Sequence, residues 1–414
     1  MSAELISILV LVVVFVIATT RSINMGALAF AAAFVVGELV ADLDADGIFA
    51  GFPGDLFVVL VGVTYLFAIA RANGTTDWLV HASIRLVRGR IALIPWVMFV
   101  ITGALTAIGA VSPAAVAIVA PIALSFAARY GISPLLMGAM VVHGAQGGGF
   151  SPISIYGSIV NGIMERENLP GNEVVLFLAS LGVNLIIAGI VFVLFGGLKL
   201  GGRDTGESAE NEADARLDPA KIATLAALVA LVVAVLAFDL DAGLSAITLA
   251  VLLSAFWPDA SRKAVGEIAW ATVLLICGVL TYVGVLEEMG TIKWAGEGVS
   301  DIGVPLLAAL LLCYIGALVS AFASSVGIMG ALIPLAVPFL AQGEIGAVGM
   351  IAALAVSATV VDVSPFSTNG ALVLAAAPDV DRERFFRQLM VYGGIIVAVV
   401  PAAVWLVFVV PGFG

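Results

Sequence analysis

Residues 361–370 read VDVSPFSTNG, with GAVGMIAALAVSATV on one side and ALVLAAA on the other. Between Glu344 and Asp379 the only charged residue is Asp362. Proline removes a backbone donor and clashes one turn back, and glycine admits non-helical angles, so this stretch interrupts a helix in the middle of an apolar run. A carboxylate at that depth is costly and points to function by default. Two readings stand for Asp362: it binds a cation or a proton, or it caps the unwound backbone.

The surroundings explain the apolar run. The chain has 414 residues, 62% hydrophobic and 11% charged, with a mean hydropathy of +1.19. Soluble domains carry about 25% charged residues. Many segments exceed the roughly 18 apolar residues that mark a crossing, so the chain reads as an all-α polytopic membrane protein. LISILVLVVVFVIA (5–18) lacks a basic flank and a cleavage site, and reads as a retained helix. The net charge of −12 speaks against nucleic-acid binding. Cys277 and Cys313 sit in apolar segments, and two histidines without a Cys/His cluster exclude a structural zinc site.

Twelve apolar segments are expected. Two, 91–128 and 303–341, are too long for one crossing and carry GAVSPAAV (109–116) and FASSVGIMG (322–330) near their centres. If both are re-entrant hairpins, Arg21, Arg71, Arg85, Arg88, Arg90, Arg129, Lys199, Arg203, Arg216, Lys221, Arg262, Lys263, Arg382, Arg384 and Arg387 share one face. The other face receives Arg166 and Lys293. The positive-inside rule makes the first face cytoplasmic, with ten spanning helices and both termini outside. Residues 201–218, GGRDTGESAENEADARLD, become a cytoplasmic linker between 1–200 and 219–414.

The two halves are related. TGALTAIGAVSPAAVAIVAPIA (102–123) parallels IGALVSAFASSVGIMGALIPLA (315–336), and FSPISIYG (150–157) parallels VSPFSTNG (363–370), both at an offset of 213. VGVTYLFAIARANGTTDW (61–78) parallels CGVLTYVGVLEEMGTIKW (277–294) at an offset of 216. Five crossings per half, an odd number, invert one copy relative to the other. Inverted repeats with interrupted helices are typical of secondary transporters, with the site near the midplane. The broken helices are expected over 134–163, unwound through GAQGGGFSPISIYGS (144–158), and over 345–377. Their half-helix N-termini suit an anion, and their carbonyls and hydroxyls suit a small hard cation. His143, about two turns before the first Ser-Pro, is either a proton site or a neutral packing residue. No lysine or arginine is expected within the membrane core.

MGALAFAAAFVVGELVADLDADGIFAGFPGDLFVVLVGVTYLFAIA, HGAQGGGFSPISIYGSIVNG and VDVSPFSTNGALVLAAAP resemble the ion transporter superfamily. Within it the chain looks like a dicarboxylate carrier of the MatC type, related to the divalent anion–sodium symporters. The resemblance implies a homodimer in the bacterial inner membrane working by an elevator motion, with no enzymatic activity and no cofactor. It implies cation-coupled symport of malonate or a four-carbon dicarboxylate, with Na⁺ as coupling ion and H⁺ as the alternative. A cation/proton antiporter of the same superfamily is the second reading. The symporters carry Ser-Asn-Thr at the hairpin tips and Ser/Thr-Pro-Pro-Asn in the broken helices. Here the tips read Val111-Ser112-Pro113 and Ser324-Ser325-Val326, and the breaks keep only the leading Ser151-Pro152 and Ser364-Pro365. Carried over by position, Ser112, Gly147, Gly148 and Ser151 serve one ion site. Ser324, Ser325, Asp362 and Ser364 serve the other. Ser112, Ser154, Ser325, Ser367, Thr368 and Asn369 face the substrate.

Overall fold

The computed structural model describes residues 2–21, 23–84, 90–201, 217–238, 240–292, 294, 305–321, 325–340, 343, 345–378 and 380–413. Most of the expected linker, the second hairpin's tip with Ser324, and Arg85, Arg88 and Lys293 lie outside them. The described residues are helical and contain no strand. That follows from composition, because in hydrocarbon each backbone group must bond within its own segment.

The first half runs α1 (Ala3–Arg21), α2 (Met25–Leu39), α3 (Ala45–Ala50), α4 (Gly54–Ala72), α5 (Thr75–Ile84), α6 (Ile94–Ala107), α7 (Ser112–Tyr130), α8 (Pro134–Gly148), α9 (Ile155–Arg166) and α10 (Glu173–Leu194). The second runs α11 (Pro219–Phe238), α12 (Ala242–Phe256), α13 (Pro258–Gly266), α14 (Trp270–Glu288), α15 (Pro305–Ser320), α16 (Ser325–Leu340), α17 (Ala347–Val360), α18 (Thr368–Ala376) and α19 (Arg382–Val404). Polar residues set the starts. Asn24, Asp44, Ser133, Asn172, Asp241 and Asp381 each accept a hydrogen bond from the first turn of the helix that follows. Gly131, left-handed at φ 63°, ends α7.

Among the described residues, six helical stretches are long and apolar enough to cross a membrane: 54–72, 112–130, 173–194, 270–288, 347–376 and 382–409. Shorter apolar helices at 3–18, 25–39, 91–107, 219–235, 242–256 and 305–320 accompany them. The chain is a multi-pass membrane protein.

Two helix crossings hold the halves together, and each exchanges the partners of the other. α2 packs on α14, and α12 packs on α4. A Cβ on Gly278 would lie 2.0 Å from the Gly26 carbonyl oxygen, and one on Gly62 would lie 2.5 Å from that of Gly243. Backbones this close need glycine, the usual means of packing helices where lipid offers no hydrophobic drive.

Residues 91–128 form a hairpin. Its entry, Ile91–Leu93, packs against Gly197–Leu200, and the turn after α7 lines a cleft with the same residues. The segment therefore returns to the end of the bundle from which it starts. Its tip turns at Gly109, φ 115°, beside Val63 of α4 and the Ile153 carbonyl. α15 and α16 likewise pack on each other.

Candidate functional site

Both expected breaks exist. The first is shorter than the sequence suggests. α8 continues through Gly148, and only Gly149–Ser154 leave the helix. Gly147 and Gly148 thus belong to the last turn of α8 and not to an ion-binding loop. Gly148 serves packing: a Cβ there would lie 1.9 Å from the Gly103 carbonyl oxygen of α6. The second break spans a single 3-10 turn, Val361–Val363, and the loop to Ser367.

The serines of the breaks bind mainly backbone. Ser154 Oγ donates to the Gly149 and Ser151 carbonyls, at 2.5 and 2.7 Å, and accepts from Gly157 N–H. Ser367 Oγ donates to the Asp362 and Ser364 carbonyls, also at 2.5 and 2.7 Å, and accepts from Gly370 N–H. The sequence reading gave both hydroxyls to a substrate; in the structure they are N-caps committed to the chain. Ser151 Oγ donates to the Ala107 carbonyl and latches the first break to the hairpin tip. Ser364 Oγ accepts from Phe366 N–H within its own turn. Thr368 is exposed and stands apart from its buried neighbour Asn369.

The remaining expected residues meet in one place. Asp362 is 6% exposed, and its carboxylate accepts from Ser325 Oγ at 2.7 Å and from Gln146 Nε2 at 2.8 Å. Ser320 Oγ donates in turn to Ser325 Oγ at 2.8 Å. Ser112 Oγ accepts from Asn369 Nδ2 at 2.8 Å and from Gln146 Nε2 at 3.4 Å. The cluster therefore joins both hairpins and both broken helices. Ser112 opens α7, Ser325 opens α16, and Asn369 lies in the first turn of α18. Tyr156 is buried in the first turn of α9, which packs on α16. Four helix N-termini converge, each carrying up to about half a positive charge. The described lysines and arginines all lie at helix ends or in short connecting segments.

Two oxygens here are informative. Gln146 Oε1 and Asn369 Oδ1 are buried and find no hydrogen-bond donor among the described residues. A buried carbonyl oxygen without a partner costs about 1–3 kcal/mol. Like the Asp362 carboxylate and the Ser112 and Ser325 hydroxyls they are hard oxygen ligands of the kind a small cation takes, although the amide nitrogens are what Gln146 and Asn369 turn to Asp362 and Ser112.

Sequence reasoning passed over Gln146 and Tyr156, although an amide one turn before a Ser-Pro break is itself an anomaly in an apolar helix. It also passed over the partners of His143. Nδ1 of that buried ring lies 2.8 Å from Asn184 Oδ1, and Nε2 lies 2.6 Å from the Tyr392 hydroxyl. Asn184 Nδ2 donates to the Ser180 carbonyl, and Ser180 Oγ donates to the Gln146 carbonyl. His143 thus ties α8, α10 and α19 together behind the cluster.

Residues 1–149 match the family model described as the dicarboxylate carrier protein MatC N-terminus. The crystal structure of the Alcanivorax borkumensis YdaH transporter, described as having an unusual topology, superposes with a TM-score of 0.61 at 15% identity. The match covers 92% of this chain and 96% of that one. The chain has the fold of a membrane transporter. The resemblance read from the first-half motifs is thereby found in the family model, over 1–149. A comparison with curated protein sequences finds no match.

Proposed function

We propose that this protein is a secondary active transporter, not an enzyme, that carries a small dicarboxylate such as malonate or a four-carbon dianion in symport with a cation, Na⁺ in the first instance. The observation that carries this reading is the buried Asp362 carboxylate in one cluster with Gln146 and Asn369, two buried amides whose oxygens have no partner among the described residues. Turning the two amides over would offer their oxygens, together with the Asp362 carboxylate, to one cation. The helix N-termini of α7, α9, α16 and α18 then favour an anion next to it. Cation binding adds positive charge where the dianion docks, so each raises the affinity for the other.

The reading extends to the architecture. The reciprocal crossings α2–α14 and α4–α12, and the matching caps at Ser154 and Ser367, support two inverted repeats, 1–200 and 219–414, joined by a linker over 201–218. The glycine-sealed crossings would form the static part. The hairpins and broken helices would move past it in an elevator motion within a homodimer. The first face of the basic residues would be cytoplasmic, in a bacterial inner membrane. Of the expected substrate residues, Ser112, Ser325 and Asn369 are kept because their polar atoms meet, and Gln146 joins them, with Asp362 reserved for the cation.

The test is uptake of malonate, succinate and citrate into proteoliposomes under separate Na⁺ and H⁺ gradients. Dicarboxylate uptake driven by one gradient, with counterflow of labelled substrate, is the expected result. Failure of all three substrates under both gradients removes the dicarboxylate reading. Proton movement without an organic substrate would establish the antiporter.

A further inference from the structure

About 20 Å from the polar cluster, at the opposite end of α8, the bundle carries a second kind of site. A cleft of about 940 Å³ opens between the end of α7, the turn at 131–133, the end of α10 and Ala377, Pro378 and Val380. A smaller cleft of about 300 Å³ runs between Leu135 and α19. Phe195 belongs to the walls of both, so the two lie side by side with one aromatic ring between them. Apolar side chains make up most of the larger cleft's wall and share the smaller one's with Arg384, Arg387, Gln388 and Tyr392, and Leu194, Leu198 and Val391 on their rims are exposed. In a multi-pass protein such residues face lipid chains.

Among the described residues, the charge on these walls is of one sign. Lys199 lines the larger cleft, and Arg384 and Arg387 line the smaller; all three are exposed. Among the described residues, no acidic residue lines either cleft. Nearby acids act on their own helix: Asp381 caps α19, and Glu383 pairs with Arg387 at 3.3 Å, both side chains well exposed. The cations stand where helices α10 and α19 end and begin, the level at which headgroups meet water. Paired apolar clefts at chain depth beneath a cationic rim at headgroup depth match the two parts of a phospholipid.

We propose that the paired clefts bind one anionic diacyl phospholipid, an acyl chain on each side of Phe195 and the phosphate against Lys199, Arg384 and Arg387. A basic pocket between membrane helices recognises acidic headgroups in this way. The site does not depend on the transport reading, only on the chain lying in a membrane.

The experiment is native mass spectrometry of the purified full-length protein with dioleoyl phosphatidylglycerol or dioleoyl phosphatidylcholine. The wild type is expected to retain phosphatidylglycerol at least about tenfold better, since each cation near a headgroup contributes about fivefold. Lys199→Gln/Arg384→Gln/Arg387→Gln should reduce phosphatidylglycerol to the level of phosphatidylcholine, with an unchanged melting temperature in lipid-free detergent. If that variant melts early, Lys199→Gln alone should lose about fivefold. Ala128→Trp, in the wall of the larger cleft, should lower retention of both lipids. Equal retention of the two lipids by the wild type, or retention that the charge variants leave unchanged, overturns the proposal. Binding of sn-glycerol 3-phosphate as tight as that of the lipid overturns it in favour of a soluble phosphate.

Discussion

At Gly149–Ser154 and again at Asp362–Ser367, a serine hydroxyl bonds to the carbonyl five residues back and caps the helix that resumes. The glycine three residues further on is pinned in both. A Cβ on Gly157 would lie 2.0 Å from the Ser151 carbonyl oxygen, and one on Gly370 would lie 1.9 Å from that of Ser364. The backbone device is duplicated atom for atom, yet the first break begins with Gly149 and the second with Asp362. The amide that meets the Asp362 carboxylate, Gln146, comes from the helix leading into the other break. The two breaks share one backbone arrangement, and only the second carries a charge. The Asp362–Gln146 contact therefore belongs to the joint between the halves and not to either half alone.

The largest expected effect tests that asymmetry. Asp362→Asn should reduce cation-driven uptake about 10- to 100-fold, the equivalent of one charge-bearing contact. Its melting temperature should move little. If the cation dependence of uptake survives the substitution, Asp362 does not hold the ion.

Next come the pinned glycines, where the halves should behave alike. Gly157→Ala and Gly370→Ala should each cost about 1–3 kcal/mol through overpacking, read as a drop in melting temperature. A large loss at one and tolerance at the other would mean that the two breaks are not mechanically equivalent.

The His143 bridge joins the halves and has no counterpart, since Val356 stands 213 residues later. Tyr392→Phe removes its bond to His143 Nε2 and should cost about 0.5–1.5 kcal/mol of stability. The choice between Na⁺ and H⁺ should not change. A switch of coupling ion in that variant would place His143 in the ion path.

The smallest effect lies at the far end of α9, outside the membrane-spanning segments. Burial, and then the neighbouring Glu287 carboxylate, push Glu167 from 4.5 up to about 7 against the opposing pull of Arg166. The folded protein thus prefers Glu167 protonated. That contribution is fully present below about pH 4.5 and is lost as the pH rises through about 7. Glu167 is half-buried, so solvent screening holds the effect to on the order of 1 kcal/mol or less. Melting temperatures measured across that window should fall less steeply for Glu167→Gln. An identical slope would assign the pH dependence elsewhere. Arg166 itself pairs with Asp55 of α4, so this contact lies between a broken helix and the proposed static part.

Much of this was legible along the chain, because membrane helices are written in long apolar runs and their interruptions in proline, glycine and hydroxyl residues. VDVSPFSTNG announced a break, its partner FSPISIYG announced a second, and the excess length of 91–128 announced a hairpin. Asp362 stood out because a lone carboxylate in hydrocarbon is expensive. What the one-dimensional pattern does not carry is direction. Ser154, Ser367 and Thr368 looked as available as Ser112 and Asn369, and only the folded backbone shows that two hydroxyls turn inward as caps and that Thr368 turns out. Gly147 and Gly148 looked like loop and are helix, because a glycine that lets two helices touch is indistinguishable in sequence from one that ends a helix. Gln146 reaches Asp362 across 216 residues, and His143 reaches Tyr392 across 249. Such pairings depend on how two half-chains pack face to face. Local composition determined where the helices lie and break, and tertiary packing decided which polar atoms meet.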